Sequence, residues 1–426
     1  MTARDQRLKA PRDAGGLQGG ITATDGHTTP GSWRVARFGE LCKLEYGAAL
    51  KAEARRGGST PVYGSGGIIG YHDRALVKGP GAVLGRKGNV GSTAWSEVDF
   101  WPIDTTFYAR PIRDDVNLRW LYFALEATDF RSASVASGVP GLNRVDALER
   151  RVKVPPLAVQ ERIVRILRTF DDAIKSGLAV ARQQIDVKHG LVVELMTRGL
   201  DSRNHFRDPP PNEPTARESV FDRMPEDWRM VRVDQAGGTR LERGRSPRKL
   251  TDRHSTPYLR VANVFDGWID CSDLMEMDFD ERERAIYGLQ PGDVLLNEGQ
   301  SIDLVGRSAL FHGEPGKYWF QNSLIRFRCG PECLPIFAQA VFKWKLLTGQ
   351  FRRVALQTTS IAHLGSDRFA SMRFPLPPMA EQKRIVRVLT RADRAIETAR
   401  EHVTRLQLDR DAIAEQLLNG ELTARA

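Results

Sequence analysis

The sequence predicts an α+β protein built of two α/β bodies related by an internal repeat, each body followed by a long helix that pairs with the other helix as a coiled coil. Three observations carry this. A twenty-residue segment occurs twice, short β-forming runs with turn glycines precede each copy, and a proline-free apolar seam follows each copy.

The repeated segment reads PPLAVQERIVRILRTFDDAI from Pro155 to Ile174 and PPMAEQKRIVRVLTRADRAI from Pro377 to Ile396, identical at 12 of 20 positions at an offset of 222. The repeat extends upstream. PGSWRVARFGEL at Pro30 resembles MPEDWRMVRVDQ at Met224, pairing Trp33 with Trp228 at an offset of 195, and GPGAVLGRKG resembles QPGDVLLNEG at 211. Phe130 against Phe351 then stands at 221 and Leu142 against Leu364 at 222. An offset that grows in steps is what loop insertions leave when the framework elements keep their order.

A double proline opens each tail as a helix start. Ile163, Leu167, Phe170, Ile174, Gly177, Ala181, Ile185, Lys188, Val192 and Leu195 then alternate by four and three, and Ile385, Leu389, Ala392, Ile396, Ala399, Val403, Leu406, Arg410, Ile413 and Leu417 match them position for position. That is a period of 3.5, and the partner at hand for each helix is the other copy. About 42 residues at 1.5 Å each give roughly 63 Å per helix. The competing reading is two ordinary amphipathic helices on separate cores.

In the bodies, STPVYGSGGIIGYHD and GAVLGRKGNVGSTAW predict hairpins, and NLRWLYFALEATDFRSA predicts a helix; TPYLRVANVFDGWID, PGDVLLNEG and LPIFAQAVFKWKLLTGQFRRVA repeat the series. The boundaries that follow are a flexible segment 1–29, a first body 30–154, a first helix 155–200, a Pro- and charge-rich linker 201–223, a second body 224–376 and a second helix 377–426.

At 426 residues, 41% hydrophobic and 27% charged, the chain has core material for several domains. A net charge of +10 favours a polyanionic partner such as nucleic acid, although charge alone is compatible with other roles. No apolar run of membrane-spanning length and no signal-like start occurs, which predicts a cytoplasmic protein without membrane contact. Cys42, Cys271, Cys329 and Cys333 lack zinc-site spacing and read as free thiols. There is no GxxxxGK[ST] phosphate loop, no GxGxxG after a strand, no adenine methyltransferase motif and no HExxH. The acidic run Asp270–Glu283 reads as a solvated face rather than a metal site, so no catalysis is expected of this chain.

The motif P-P-L-x-x-Q-x-R-I-V opening a long helix after a variable α/β body, present twice, with Trp33 and Trp228 entering the bodies and ELMTRGL and EQLLNGELT ending the helices, resembles the specificity subunit of type I restriction-modification systems. The resemblance implies two target recognition domains separated by two long antiparallel coiled-coil helices, each domain reading one half of a split double-stranded DNA site. It also implies two modification subunits that supply adenine methylation with S-adenosylmethionine, and restriction (translocase) subunits using ATP and Mg, with no cofactor on this chain. Val159 departs from the pattern: the second copy has Glu381 there, and a contact at the first helix start is expected to be weaker. The alternatives are a stand-alone DNA-binding regulator or scaffold, and a subunit of a related bipartite-site restriction-methylation enzyme.

DNA-contact candidates follow from loop chemistry. In the first body they are Tyr63, Ser65, Arg86, Lys87, Asn89 and Ser92 on the glycine-rich turns, with Asn143 from ASGVPGLN. Plain hairpin turns with solvated charges are the alternative. In the second body, residues 240–260 hold seven Lys/Arg against two Asp/Glu, which makes Arg243, Arg245, Arg248 and Lys249 phosphate candidates, followed by Arg260 and Asn263. LNEGQSIDLVGRS adds Asn297, Glu298, Gln300, Ser301 and Arg307, where Glu298 could accept from cytosine N4. Because these loops differ from Arg86, Lys87 and Asn89, the expected site is asymmetric, with half-sites about one DNA turn apart. Leu157 and Met379 at the helix starts are partner-docking candidates, whereas Ile163 and Ile385 belong rather to the seam.

Overall fold

Trp33 leads into strand β1 (Arg34–Arg37), and the last strand of the first body, β9 (Arg151–Val154), returns antiparallel to it from Arg34↔Val154 to Arg37↔Arg151. The computed structural model describes residues 33–131, 141–208, 224–238, 241–246, 255–358 and 360–422. The chain divides into two units, residues 1–171 with 409–426 and residues 172–408. The predicted flexible segment 1–29 and most of the predicted linker lie outside the described residues.

In the first unit, β2 (Cys42–Tyr46), β5 (Gly81–Gly85), β6 (Thr93–Ser96) and β8 (Thr106–Pro111) form a sheet in the order β2-β8-β5-β6, and β3 (Thr60–Gly64), β4 (Gly67–His72) and β7 (Trp101–Pro102) form a second in the order β4-β3-β7. Helix α1 (Leu118–Ala127) starts where the Asn117 side chain accepts from the N–H groups of Arg119 and Trp120, an N-cap that satisfies two otherwise orphaned donors. Helix α2 (Arg144–Glu149) and β9 follow, then α3 (Leu157–Arg198). The core buries Leu84, Phe107, Trp120, Phe123 and Phe130 together with Ile163 and Leu167 of α3.

The second unit repeats this plan. Its strands are β10 (Arg229–Arg232), β11 (Glu242–Arg243), β12 (Ser255–Leu259), β13 (Met275–Asp278), β14 (Val294–Asn297), β15 (Gly299–Gln300), β16 (Ser308–Leu310), β17 (Trp319–Phe320), β18 (Leu324–Phe327), β19 (Leu356–Gln357), β20 (Ala362–His363) and β21 (Arg373–Leu376). Its helices are α4 (Val233–Ala236), α5 (Glu281–Tyr287), α6 (Pro335–Leu347), α7 (Gln350–Val354), α8 (Ser366–Ser371) and α9 (Met379–Asn419). The orders β11-β18-β14-β16 and β13-β12-β17 reproduce the two sheets of the first unit strand for strand, and β10 pairs antiparallel with β21 as β1 does with β9. The second unit also carries the three-stranded sheet β15-β20-β19, whose last two strands correspond by offset to a segment of the first copy that lies largely outside the described residues, and α5 accounts for part of the growth in offset.

The two long helices lie antiparallel. Within the first unit the start of α3 packs with Ala414, Leu417 and Leu418 at the end of α9, and within the second Val192 and Leu195 share a core with Ile385 and Leu389. A Cβ on Gly177 would meet Val403 at 2.8 Å, so the backbones approach closely there. Every one of the predicted seam positions is at least half-buried, which favours the coiled-coil reading over two separate amphipathic helices.

Candidate nucleic-acid interface

The frame that carries the loops is fastened by one repeated side chain. Gln160 Oε1 accepts from the N–H of Asn117 at 2.8 Å, and its Nε2 donates to the carbonyls of Asp115 and Pro155, both at 2.9 Å. Gln382 does the same with the N–H of Leu334 at 2.9 Å and the carbonyls of Glu332 and Pro377 at 2.7 and 3.0 Å. In each unit the buried amide therefore ties the first turn of a long helix to the N-cap of the body's main helix. Glu381 adds a second clamp in the second unit: fully buried, it accepts from Leu200 N–H at 2.7 Å, Trp228 Nε1 at 3.2 Å and Arg207 at 2.7 Å. Gly199 makes room for it, with φ of +66° and a Cβ position only 2.4 Å from the Glu381 carboxylate. Val159, at the equivalent place, packs against the hydrophobic core of the first unit and has no such polar role. Arg207 also pairs with Asp227 at 2.6 Å and holds that carboxyl below its usual range, so residues 201–208 of the predicted linker are a structured loop.

In the first unit one patch gathers six of the seven candidates. Ser92 Oγ donates to the carbonyls of Ser65 and Asn89, the Asn89 N–H donates to Ser65 Oγ at 3.4 Å, and the Leu142 N–H donates to the Arg86 carbonyl at 2.8 Å. The β3–β4 turn, the β5–β6 turn and the Asn143 strap are thereby locked together. Lys87 and Asn89 are exposed on it. Three assignments change. Tyr63 is a core residue, 6% exposed, its hydroxyl donating to the Trp95 carbonyl at 3.2 Å and pushed up in pKa by burial. Ser92 spends its hydroxyl on the turn, and Asn143 caps α2 by accepting from the Val145 N–H at 2.9 Å. Arg86 lies over the Tyr46 ring at 5.1 Å, and Arg144, which the sequence reading missed, lies over the same ring at the same distance. Tyr46 is half-exposed, so the pair forms a cationic platform with an aromatic floor.

The second unit corrects more. Asn263 and Asn297 are fully buried: Asn263 donates to the Asp270 and Asp273 carbonyls at 3.0 and 2.8 Å, and Asn297 to that of Val264 at 3.3 Å. They hold the 260–273 loop and cannot reach a base. Arg245 pairs with Glu283 and Arg260 with Asp273, both at 2.7 Å, so carboxylates of the acidic run already match charges assigned to phosphate. Glu298 is 3% exposed and paired with His363 and Arg243, which removes it as a direct acceptor from cytosine. Arg307 is half-buried over the Phe265 ring at 5.2 Å, and burial lowers its pKa. Gln300 is half-buried and accepts from the Ser301 N–H, while Ser301 and Arg243 are exposed. Arg248 and Lys249 lie outside the described residues. At the helix starts, Leu157 is 38% exposed and Met379 half-buried.

The family profile of the type I restriction modification DNA specificity domain matches residues 30–180 and again 225–405, one match for each copy of the repeat. The chain belongs to this family. The type I restriction enzyme MjaVIII specificity subunit of Methanocaldococcus jannaschii is 22% identical over 334 residues, covering 73% of this chain and 71% of that one. The EcoKI specificity subunit of Escherichia coli is 25% identical over 192 residues, 44% of this chain and 41% of that one. A chain solved to describe complex assembly and conformational transition of the type I R-M system superposes with a TM-score of 0.50 at 15% identity, covering 93% of this chain and all of that one, which supports the fold.

As a specificity subunit the protein recognises sequence within a restriction-modification complex, and catalysis lies in partner subunits. Among the described residues no helix is long and apolar enough to cross a membrane. The residues that sequence reasoning missed, Arg144 and His363, lie in segments without a composition signal; only the fold brings them beside Tyr46 and Glu298.

Proposed function

We propose that this specificity subunit binds an asymmetric bipartite site in double-stranded DNA, body 30–154 reading one half and body 224–376 the other, and directs adenine methylation by two modification subunits. The observation that carries the asymmetry is the contrast between equivalent loops on a repeated frame. The first unit presents Lys87 and Asn89 beside the Arg86–Tyr46–Arg144 platform, whereas the second presents Arg243, His363 and Ser301 around a buried carboxylate.

Two readers on one chain answer an energetic need. A wrong base pair costs about 1–3 kcal/mol, so one short half-site cannot outcompete a genome, whereas two half-sites roughly add their discrimination. The modification subunits would supply S-adenosylmethionine and flip the adenine out of the duplex. Restriction (translocase) subunits would supply ATP- and Mg-dependent cleavage, in the cytoplasm. Leu157 and Met379 remain docking positions for the modification subunits under this reading.

Single-molecule mapping of methylated adenines in cells with and without this chain tests it. Two unrelated half-sequences that disappear with the chain are expected; a palindromic motif would overturn the asymmetry.

A further inference from the structure

Glu298, directly after β14, lies too deep to touch a base, yet two donors beside it are not buried. Its carboxylate meets His363 Nδ1 at 3.1 Å and Arg243 Nη2 at 3.5 Å, and those side chains are 43% and 48% exposed. The three residues come from separate strands or strand ends, and the backbone fixes them: the Glu298 N–H donates to the Ser323 carbonyl at 2.9 Å, and the Leu364 N–H donates to the Glu298 carbonyl at 2.8 Å. Arg243 Nε donates to the Asn322 carbonyl at 3.0 Å. A Cβ on Gly299 would stand 3.3 Å from the His363 ring, so the imidazole lies close against bare backbone.

We propose that Arg243 and His363 together read one G·C base pair in the half-site of the second body, with Glu298 as the positioning residue. This rests on the reading that the second body contacts DNA. Arg243 Nη1 has no partner among the described residues, and the guanidinium end is the fork that matches guanine O6 and N7. The tautomer that donates Nδ1–H to Glu298 presents Nε2 as an acceptor, which suits the N4 amino group of the paired cytosine. A phosphate clamp needs charge rather than direction. Here a buried carboxylate sacrifices charge and fixes direction, which is the requirement of base reading.

The test maps adenine methylation by the full complex carrying R243A, R243K, H363A or E298Q, with thermal unfolding of each variant. The expected result is loss of one G·C requirement in one half-site, roughly tenfold or more in relative methylation, with the other half-site unchanged. R243K should behave as R243A, because lysine keeps the charge and loses the fork. E298Q should relax the same position, a change of sequence preference that a purely structural role would not produce. Retention of the wild-type motif by R243K with a uniform fall for R243A would identify a phosphate contact and overturn the proposal. So would an unchanged motif in every variant, or a wild-type half-site without a G·C pair. Failure of the wider reading is separate: the methylation motif would then not depend on this chain at all.

Discussion

Lys188 on α3 pairs with Asp393 on α9, and Asp171 on α3 pairs with Arg410 on α9 at 3.1 Å, each residue standing 222 positions from its counterpart. The internal repeat thus places an ion pair of the same kind in each unit, but burial separates their energetics. The Arg410 side chain is 12% exposed and also meets Glu126 at 2.5 Å, while Asp393 is 51% exposed. R410A removes charge-assisted bonds from Glu126 and Asp171, which keep Tyr122 and Arg119 as partners, so it is expected to lower stability by about 1.5–3 kcal/mol. K188A should cost about 1 kcal/mol or less, as exposed pairs do. Urea unfolding of the purified subunit compares the two; equal losses would contradict the burial argument.

The Gln160 and Gln382 amides predict a matched pair of effects. Q160A leaves the Asn117 N–H and two carbonyls without their partner, and Q382A does so for Leu334, at roughly 1–3 kcal/mol for each stranded buried group. Each variant should loosen only its own unit. Hydrogen exchange would register this as lost protection at the start of α1 for Q160A and of α6 for Q382A, and a response spread over both units would count against it.

Lys345 gives a pH dependence. Burial pushes its pKa down to about 7, against an ordinary lysine value of ~10.4 in the unfolded chain. Between those values the unfolded chain holds a proton that the folded one lacks. Stability therefore rises with pH from about 7 toward 10, by up to roughly 1.4 kcal/mol per pH unit from this group, and the group adds no slope below that window. In K345M the contribution should vanish. Denaturation at pH 7, 8 and 9 checks this, with parallel slopes in both proteins as the contrary outcome.

Within the first unit, exposure separates stability from recognition. Y63F removes a hydroxyl that donates to the Trp95 carbonyl and is expected to cost about 0.5–1.5 kcal/mol while leaving the methylation motif intact. K87A and N89A, on exposed turn residues, should alter methylation without moving the unfolding midpoint. A motif change in Y63F would return that tyrosine to the interface.

Much of the fold could be read from the chain because period and repetition are properties of sequence: the seam from Ile163 to Leu195 and its twin are covered throughout, and the two glycine-rich hairpins stand where the turns put them. Site assignments were harder because residue type does not reveal burial. Asn263, Asn297 and Glu298 have the chemistry of base readers, but hydrogen bonds to carbonyls and ion pairs draw them inward. The acidic run was legible as charge but not as the partner of Arg245 and Arg260, since those contacts depend on how the 260–273 loop and α5 fold back beside them. The repeated Gln was visible in both copies; its three hydrogen bonds require knowing that a body helix begins beside it.

Pairing β1 with β9, and β10 with β21, brings the entrance and exit of each body side by side on the frame. A body is therefore a cassette with adjacent ends, joined to the frame by a four-residue clasp, a glutamine and, in the second unit, Glu381, over a core shared with the long helices. Under the proposed function, exchange of residues 33–154 or 228–376 as a block is expected to change one half-site and leave the other unchanged. Under that reading, a new DNA address would come from one such block exchange rather than from many point mutations.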